Sequence, residues 1–460
     1  MELAHDLQMK LLPSVETFEF AQAAGRVQPT EQVGGDFYQL FELPGDRVGV
    51  MLGDVSLHGF PSALIMMLTM SAAGIYAREA ESPAQVLRKL DDALAEELAA
   101  RGHRVELWAL TIGGSGLAVG PGVALHQVPL MPEPGEGVAQ RVARGASALA
   151  AALRHAAPVD IHHAQDMVSA RALLDLRAEG VISHAVRTVH HVEVFQDDVL
   201  EECQRASIQD VDRCLAVSAF WAARLASEFG VQAGVVPNGV DFARFAHCPL
   251  DRRRAGERFG WGMRPVILAL GGVQPRKGGR VLLEAFARAR GRLPDDALLV
   301  VAGGDGLYAE PAHLAAWKDD AARLGLRVRE GPYPSPDAHV ARIGVVADDD
   351  MPALYRAADA LAFPSTREGF GLVVVEAMAG GLPVVASDIP VLREFLRDGD
   401  DCLMTPVGDS GPMAEALVAV MREPDLRARL TANAQATARA FRWEITAERA
   451  EAEYEGMRAS

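Results

Sequence analysis

Cysteine is scarce in this 460-residue chain: Cys203, Cys214, Cys248 and Cys402 are all there are, and no two fall at a C-x-x-C spacing. That pattern excludes a zinc ribbon or a disulfide framework and predicts a reducing, cytoplasmic setting. The first residues, Met1-Glu-Leu-Ala-His-Asp6, offer neither a basic stretch nor an apolar one, so no signal peptide is expected. Long apolar runs are missing too. Gly59 to Ala77 comes nearest, but Pro61, Ser62, Thr69 and Ser71 dilute it, and a buried helix is the better expectation. Positive charge is in deficit, with 45 Lys and Arg against 62 Asp and Glu and a net charge of −17. A surface that acidic repels phosphate backbones, and nucleic acid is not an expected partner. Nine of those net negative charges fall in residues 1–100, a shift that hints at a boundary near residue 100.

What is present is hydrophobic residue at 49% and charged residue at 23%, enough for two or three globular domains. From residue 100 onward short apolar runs alternate with helical patterns, the signature of βαβ units and parallel sheets. Expected strands in the first stretch are 105–110, 123–128, 159–161, 185–189, 214–217 and 233–236, forming one doubly wound sheet, with helices such as 138–155 and 219–229 between them. A polar stretch with Arg252, Arg253, Arg254 and Arg258 then reads as an interdomain linker. A second doubly wound domain follows, with strands expected at 265–270, 298–302, 328–330, 343–346, 360–363, 383–386 and 403–406.

The chemistry concentrates in the second domain. Residues 359–381, DALAFPSTREGFGLVVVEAMAGG, read as strand, glycine turn and helix, with Glu368 and Glu376 eight apart. Gly369 and Gly371 let backbone approach a ligand, and the first amides of the following helix suit a diphosphate. Glu376 lies among Val373, Val374, Val375, Ala377 and Met378, where an unpaired carboxylate is costly and a hydroxyl-rich ligand such as ribose would satisfy it. Upstream, LALGGVQPRKGGRVLLEAF at 268–286 reads as strand, glycine turn, basic pair and helix. Its Lys277 is one of only four lysines in a chain that otherwise uses arginine.

Over residues 86–455 these strings resemble the retaining glycosyltransferases of family four, which adopt the two-domain GT-B fold. The paired glutamates, the Pro364-Ser365 and Gly369-Phe370-Gly371-Leu372 flanks, Val301-Ala-Gly-Gly304, Gly344-Val345-Val346 and Asn238-Gly-Val-Asp241 all match in order. The resemblance implies a nucleotide-diphosphate sugar as donor substrate and no required cofactor or metal. It implies Lys277 as the cation on the departing diphosphate, Glu368 on the donor sugar, Glu376 on the nucleotide ribose and the Gly369, Phe370, Gly371 and Leu372 backbone on sugar and diphosphate. Val345 and Val346 would lie near the base. Gly271 and Gly272 form the glycine turn; the family usually places an arginine where this chain has Gly272, and Arg276 would substitute. A histidine at the end of an acceptor-side strand would face the reacting sugar, and His190 and His191 both fit. The His162-His163 and His190-His191 pairs lack the carboxylate or cysteine spacing of a metal site. The acceptor is then a sugar, a lipid or a small molecule, with peripheral membrane association and oligomeric state left open.

Residues 1–98 resemble something else. Gln8 to Pro13, Val33-Gly-Gly-Asp36-Phe-Tyr38 and Gly53-Asp54-Val-Ser-Leu57-His-Gly59 look like the first half of the metal-dependent PPM-type serine phosphatases that regulate bacterial sigma factors. By that resemblance Asp36 and Asp54 are vestigial metal ligands, since the later half of the domain is absent and Leu57 replaces a glycine. The opening strand and Gly-Gly loop of the glycosyltransferase are missing upstream of residue 93, and residues 47–55 are a candidate surrogate strand. The expected organisation is a truncated, partly α+β phosphatase-like segment at 1–98, an acceptor-side Rossmann-like domain at 99–236, a donor-side one at 237–440 and a terminal helix at 441–460 that could cross back. The alternative is a catalytically inactive regulatory fusion whose head binds a partner protein while the body binds nucleotide.

A paired-metal hydrolase needs several carboxylates around its ions, and the head supplies two of the expected set. We therefore expect the chain to release no phosphate from a phosphoserine peptide in manganese; manganese-dependent release would overturn the vestigial reading.

Overall fold

The computed structural model describes residues 93–459 except 112–118, 132, 134–135, 194, 196 and 305–310, together with the backbone of four strands nearer the N-terminus. The chain forms two compact units, Met1–Ser82 and Pro83–Ser460. In the first, β1 (Val15–Thr17) pairs antiparallel with β2 (Gln22–Ala24), and β3 (Phe37–Leu43) pairs antiparallel with β4 (Arg47–Gly53) from Phe37 opposite Gly53 to Leu43 opposite Arg47. The 61–77 helix expected from the sequence, and Asp36 and Asp54, lie outside the described residues.

The second unit holds three sheets. β5 (Val105–Thr111) and β6 (Val123–Pro129) pair in parallel by themselves. β7 (His163–Ala164), β8 (Val186–Val189), β9 (Arg213–Ala216) and β10 (Gly234–Val235) form a parallel sheet in the order β10-β9-β8-β7. The single doubly wound sheet expected over 105–236 is thus divided. In doubly wound sheets the first strand lies between the second and fourth, which here is the place between β5 and β7, and among the described residues no strand is paired there. β4, in the first unit, pairs with β3 as a hairpin. The expected strand at 159–161 is also displaced, to His163–Ala164, where it pairs with Val186 and Arg187.

The third sheet has seven parallel strands: β11 (Val266–Leu270), β12 (Leu298–Ala302), β13 (Val328–Glu330), β14 (Val340–Gly344), β15 (Ala360–Phe363), β16 (Val384–Ser387) and β17 (Leu403–Thr405), in the order β13-β14-β12-β11-β15-β16-β17. β12, β15 and β16 are buried at every residue, as strands covered by helices on both faces must be. One correction concerns β14, which ends at Gly344 where 343–346 was expected; Gly344 adopts a left-handed φ of 74° and turns Val345 and Val346 into the following loop. Another concerns the arginine stretch. It is no linker but a helix, Arg252–Arg258, capped by the Asp251 carboxylate accepting from the Arg254 N–H. Arg252 bonds the Asp359 carboxylate at 3.0 Å and the Gly262 and Arg264 carbonyls, fastening that helix to the sheet.

The chain runs outward from β11 to one side and then returns to start β15 on the other, so the β11–β15 pair is the point where winding reverses, the place at which such sheets form ligand crevices. After the sheet, the helix Trp443–Ala459 packs on the four-stranded sheet: the Tyr454 hydroxyl lies 2.7 Å from His163 Nδ1, and Arg213 donates to Glu453 at 2.8 Å.

Glycine is required where the β11 and β15 loops meet. Gly278 has φ of 65°, and a Cβ there would lie 2.1 Å from the Pro364 carbonyl oxygen. Left-handed strain plus a backbone clash is expected to cost about 2 kcal/mol or more. Gly278→Ala should lower the melting temperature by several degrees, whereas Gly291→Ala, with open space around it and no positive φ, should leave it unchanged; equal melting of the two variants would refute the argument.

Candidate functional site

The reversal point carries the basic turn. Gly271 and Gly272 follow β11 with φ of 103° and 67°, and both amides donate to the Ala302 carbonyl at the end of β12. A side chain at Gly272 would force the backbone to shift, since its Cβ would sit 2.1 Å from the Gly304 carbonyl oxygen. The 3-10 turn Pro275–Lys277 follows, and its Arg276 carbonyl accepts the Thr366 N–H at 2.8 Å, which ties the β11 loop to the β15 loop.

Three charged groups meet there. Lys277 Nζ donates to Glu368 Oε1 at 2.8 Å, and Arg276 Nη1 is 3.3 Å from both Glu368 oxygens. The lysine and glutamate side chains are 11% and 10% exposed and the arginine 44%, so this is a nearly buried ion pair with a second cation at its rim. The Lys277 stem lies on Gly271, where a Cβ would come within 2.6 Å of Cε, and its ammonium stands 5.2 Å from the Phe363 ring centre. Burial pushes the Lys277 ammonium below its ordinary value, with Glu368 opposing. For Glu368 burial pushes upward, but the charges of Lys277 and Arg276 outweigh it and hold the carboxyl below the usual carboxylate range. Glu368 is therefore a carboxylate at neutral pH. Two cations that share one carboxylate can take a more highly charged anion in its place.

Gly371, with φ of 99°, caps the helix Leu372–Ala379. Glu376 on that helix accepts the Tyr355 hydroxyl at 2.6 Å, and Tyr355 is fully buried on the helix Met351–Arg356. The apolar setting expected for Glu376 thus contains a buried hydroxyl that the sequence did not point to. Phe370 turns inward and packs against Phe395 and Phe441 at ring distances of 5.6 and 5.5 Å, leaving its backbone as the part that borders the crevice. Leu372 is half-buried in the first helical turn, and Val345 and Val346 are half-buried in the loop after β14, where the Gly303 N–H donates to the Gly344 carbonyl.

The half that carries β8 touches this loop. A Cβ on Gly369 would lie 2.6 Å from the His190 carbonyl oxygen, so the end of β8 lies against the Glu368-Gly369 turn. Trp221 Nε1 donates to the Glu368 carbonyl at 3.3 Å, and Glu394 accepts the Ala219 and Phe220 amides at the start of the helix Ala219–Phe229. These contacts of Trp221 and Glu394 had no signal in the sequence, because each joins residues more than a hundred positions apart. Of the two histidines left open, His191 is exposed and lies 2.9 Å from Glu193, while His190 holds the contact with Gly369 and places Nε2 3.0 Å from Gln165 Oε1. Burial, then the charge of Arg187, pushes His190 down to about 3; His163, enclosed between Tyr454 and Thr188, is pushed down to about 4 by the same causes. Among the described residues no cluster of three or more potential ligands could hold a metal ion, and no helix is long and apolar enough to cross a membrane.

Residues 252–437 match the family described as Glycosyl transferases group 1, residues 92–244 that described as Glycosyltransferase Family 4, and residues 44–112 that of Stage II sporulation protein E (SpoIIE). A phosphatidyl-myo-inositol mannosyltransferase of Mycolicibacterium smegmatis is 35% identical over 220 residues, 47% of this chain and 50% of the relative. A D-inositol 3-phosphate glycosyltransferase of Nocardia farcinica is 33% identical over 281 residues, 58% of each chain. The chain spans about half the length of these curated relatives. Among solved structures, Anabaena HepE in complex with UDP and glucose aligns with a TM-score of 0.63 at 20% identity, covering 80% of this chain and 95% of that one. Sucrose-phosphate synthase of Thermosynechococcus elongatus aligns at 0.65 and 22% identity, covering 80% and 92%. These likenesses establish the two-lobed GT-B fold.

His163 and His190 stay neutral when folded but bind protons near pH 6.5 when unfolded, so the unfolded chain takes up more protons as the pH drops. Stability contributed by keeping them neutral is complete above pH 6.5 and is lost as the pH falls toward 4 and then 3. The gap in melting temperature between the parent and a His163→Gln, His190→Gln double variant should narrow from pH 7.5 to pH 4.5; a gap independent of pH would show that neither group is held neutral.

Proposed function

We propose, because the chain belongs to the glycosyltransferases of family 4 and group 1 with a SpoIIE-type segment ahead of them, that it moves a sugar from a nucleotide-diphosphate donor to a hydroxyl acceptor, with retention and without an essential metal. The observation that carries this reading is the Lys277–Glu368–Arg276 cluster at the reversal point of the seven-stranded sheet. Departure of a nucleoside diphosphate puts negative charge on its phosphates, and two fixed cations at the end of β11 are aimed at that charge without a metal's help. Arg276, 3.3 Å from Glu368, serves as the second cation in place of the arginine that the family usually carries at the position of Gly272. The helix beginning at Leu372 offers its first amides to the same phosphates. Once the phosphates take over the cations, the Glu368 carboxylate is released to accept sugar hydroxyls; Glu376, steadied by Tyr355, accepts from the ribose. Val345 and Val346 border the base, and residues 237–440 hold the whole donor.

The acceptor site belongs to residues 99–236, across the crevice at the end of β8. The names of the relatives concern transfer to inositol-bearing molecules, and a polyol, sugar or lipid headgroup hydroxyl is the acceptor class they suggest. The second reading, a regulatory fusion that binds nucleotide without transferring sugar, draws on the place between β5 and β7, which no strand among the described residues takes. Turnover of a nucleotide sugar, measured with and without EDTA, separates the two.

Within the first reading, Lys277→Ala should lower kcat by about a hundredfold or more, with nucleoside-diphosphate affinity changed little, since a cation on the leaving group acts as charge develops. Glu376→Ala should weaken nucleotide affinity about tenfold and leave kcat near the parent value. Calorimetry and steady-state kinetics on the full chain check both, and equal effects on affinity and rate would contradict these roles.

A further inference from the structure

His190 has a partner on one ring nitrogen and none on the other. Nε2 lies 3.0 Å from Gln165 Oε1, whereas Nδ1 is buried and has no hydrogen-bond partner among the described residues. An amide oxygen only accepts, so this contact requires the proton on Nε2 and leaves a lone pair on Nδ1. A buried acceptor without a donor is costly, and here it belongs to the residue whose carbonyl packs on Gly369 of the donor loop. His190 and Gln165 also line a cleft with Thr188, Asn238 and Trp443, which joins the ends of β7 and β8 to the terminal helix.

We infer that Gln165 is a positioning residue that fixes His190 as a hydrogen-bond acceptor at Nδ1, so that the imidazole takes a hydroxyl proton from a bound sugar into a hydrogen bond and does not itself donate one. The inference rests on the glycosyltransferase reading for the identity of the ligand, but the tautomer it assigns belongs to the chain alone. Gln165 is carried into place by β7: Ala164 pairs with Arg187, and the next residue projects from the strand end, while Asp166 caps the helix Met167–Ala178. The ionisable groups facing the ring are Arg187, His191 and His163, and each opposes an imidazolium. An amide at position 165 adds no charge that would reverse this. A carboxylate there would, and it would draw a second proton onto the ring, turning Nδ1 from acceptor into donor.

The test uses the full chain labelled with nitrogen-15 in histidine, with the His190→Gln spectrum assigning the His190 signals. The expected result is a protonated Nε2 and an unprotonated Nδ1 in the unsubstituted chain, and a mixture of tautomers in Gln165→Ala. A protonated Nδ1 in the unsubstituted chain would overturn the inference, because the amide would then be turned the other way. In kinetics, Gln165→Ala should lower kcat/KM for the nucleotide sugar about tenfold while affinity for the free nucleoside diphosphate changes less than twofold. Gln165→Glu should show an added acid limb, inactive at low pH and recovering as the pH rises; a pH profile identical to that of the parent would refute the assignment. The spectra need no turnover, so a chain that fails to process any nucleotide sugar yet shows the assigned tautomer would refute the transferase reading and leave this one standing.

Discussion

The buried ion pair of Lys277 and Glu368 is the constraint on which the donor half depends. Removing two charges from water is repaid only when they are held close and further bonded, and removing one partner of such a pair typically costs about 3–5 kcal/mol. Here the fold holds them close by bringing the ends of β11 and β15 side by side and tying their loops through the Thr366 to Arg276 bond. The glycines are consequences of that closeness. Gly271 makes room for the lysine stem, Gly272 for the Gly304 carbonyl after β12 and Gly278 for the Pro364 carbonyl after β15, so three small residues let three loops meet at one point.

The same point joins the two halves of the larger unit. Glu368 receives Lys277 on its carboxylate and Trp221 on its carbonyl, so one residue bonds both to the donor sheet's own loop and to a helix of the other half. Glu394 adds a carboxylate at the positive end of that helix, a favourable placement for negative charge. The His190 carbonyl against Gly369 closes the set. A displacement of the helix Ala219–Phe229 would therefore be felt at Glu368 through the Trp221 bond and at Glu394 through the Ala219 and Phe220 amides.

Legibility in the sequence followed the range of the interactions. The strands at 298–302 and 360–363 were readable to the residue because buried parallel strands are short apolar runs with glycine or charge at their ends. Strand β7 was misread by a few residues because only two residues pair, His163 and Ala164, and a histidine opens the strand where the apolar run Val159 to Ile161 drew attention. The arginine helix was misread as a linker since its buried contacts are guanidinium bonds to Asp359 and to carbonyls, which leave no hydrophobic period. In the site, the charged turn and the paired glutamates stood in one string each. Tyr355, Gln165, Trp221 and Glu394 did not, for each acts on a partner reached only through the fold.

The two halves differ in how completely their sheets are built, and the difference bears on what each could specify. In the donor sheet seven strands pair without interruption, so the positions of Lys277, Arg276 and Glu368 are each set by a strand end held on both sides. Among the described residues of the other half, β7 is an edge of a four-stranded sheet and β5 pairs with β6 alone. Unpaired strand edges are weakly specified unless something covers them. What covers the β8 end of the smaller sheet is the terminal helix, through Tyr454 on His163 and Glu453 on Arg213, together with the donor loop itself against His190. The geometry around His190 is therefore held by Gln165 at the end of its neighbouring strand and by the Gly369 turn, while the terminal helix holds the adjacent His163. The end of β8 thus takes part of its order from the seven-stranded half, and a ligand lying between the two would meet a wall that is set only when the Glu368-Gly369 turn is in position.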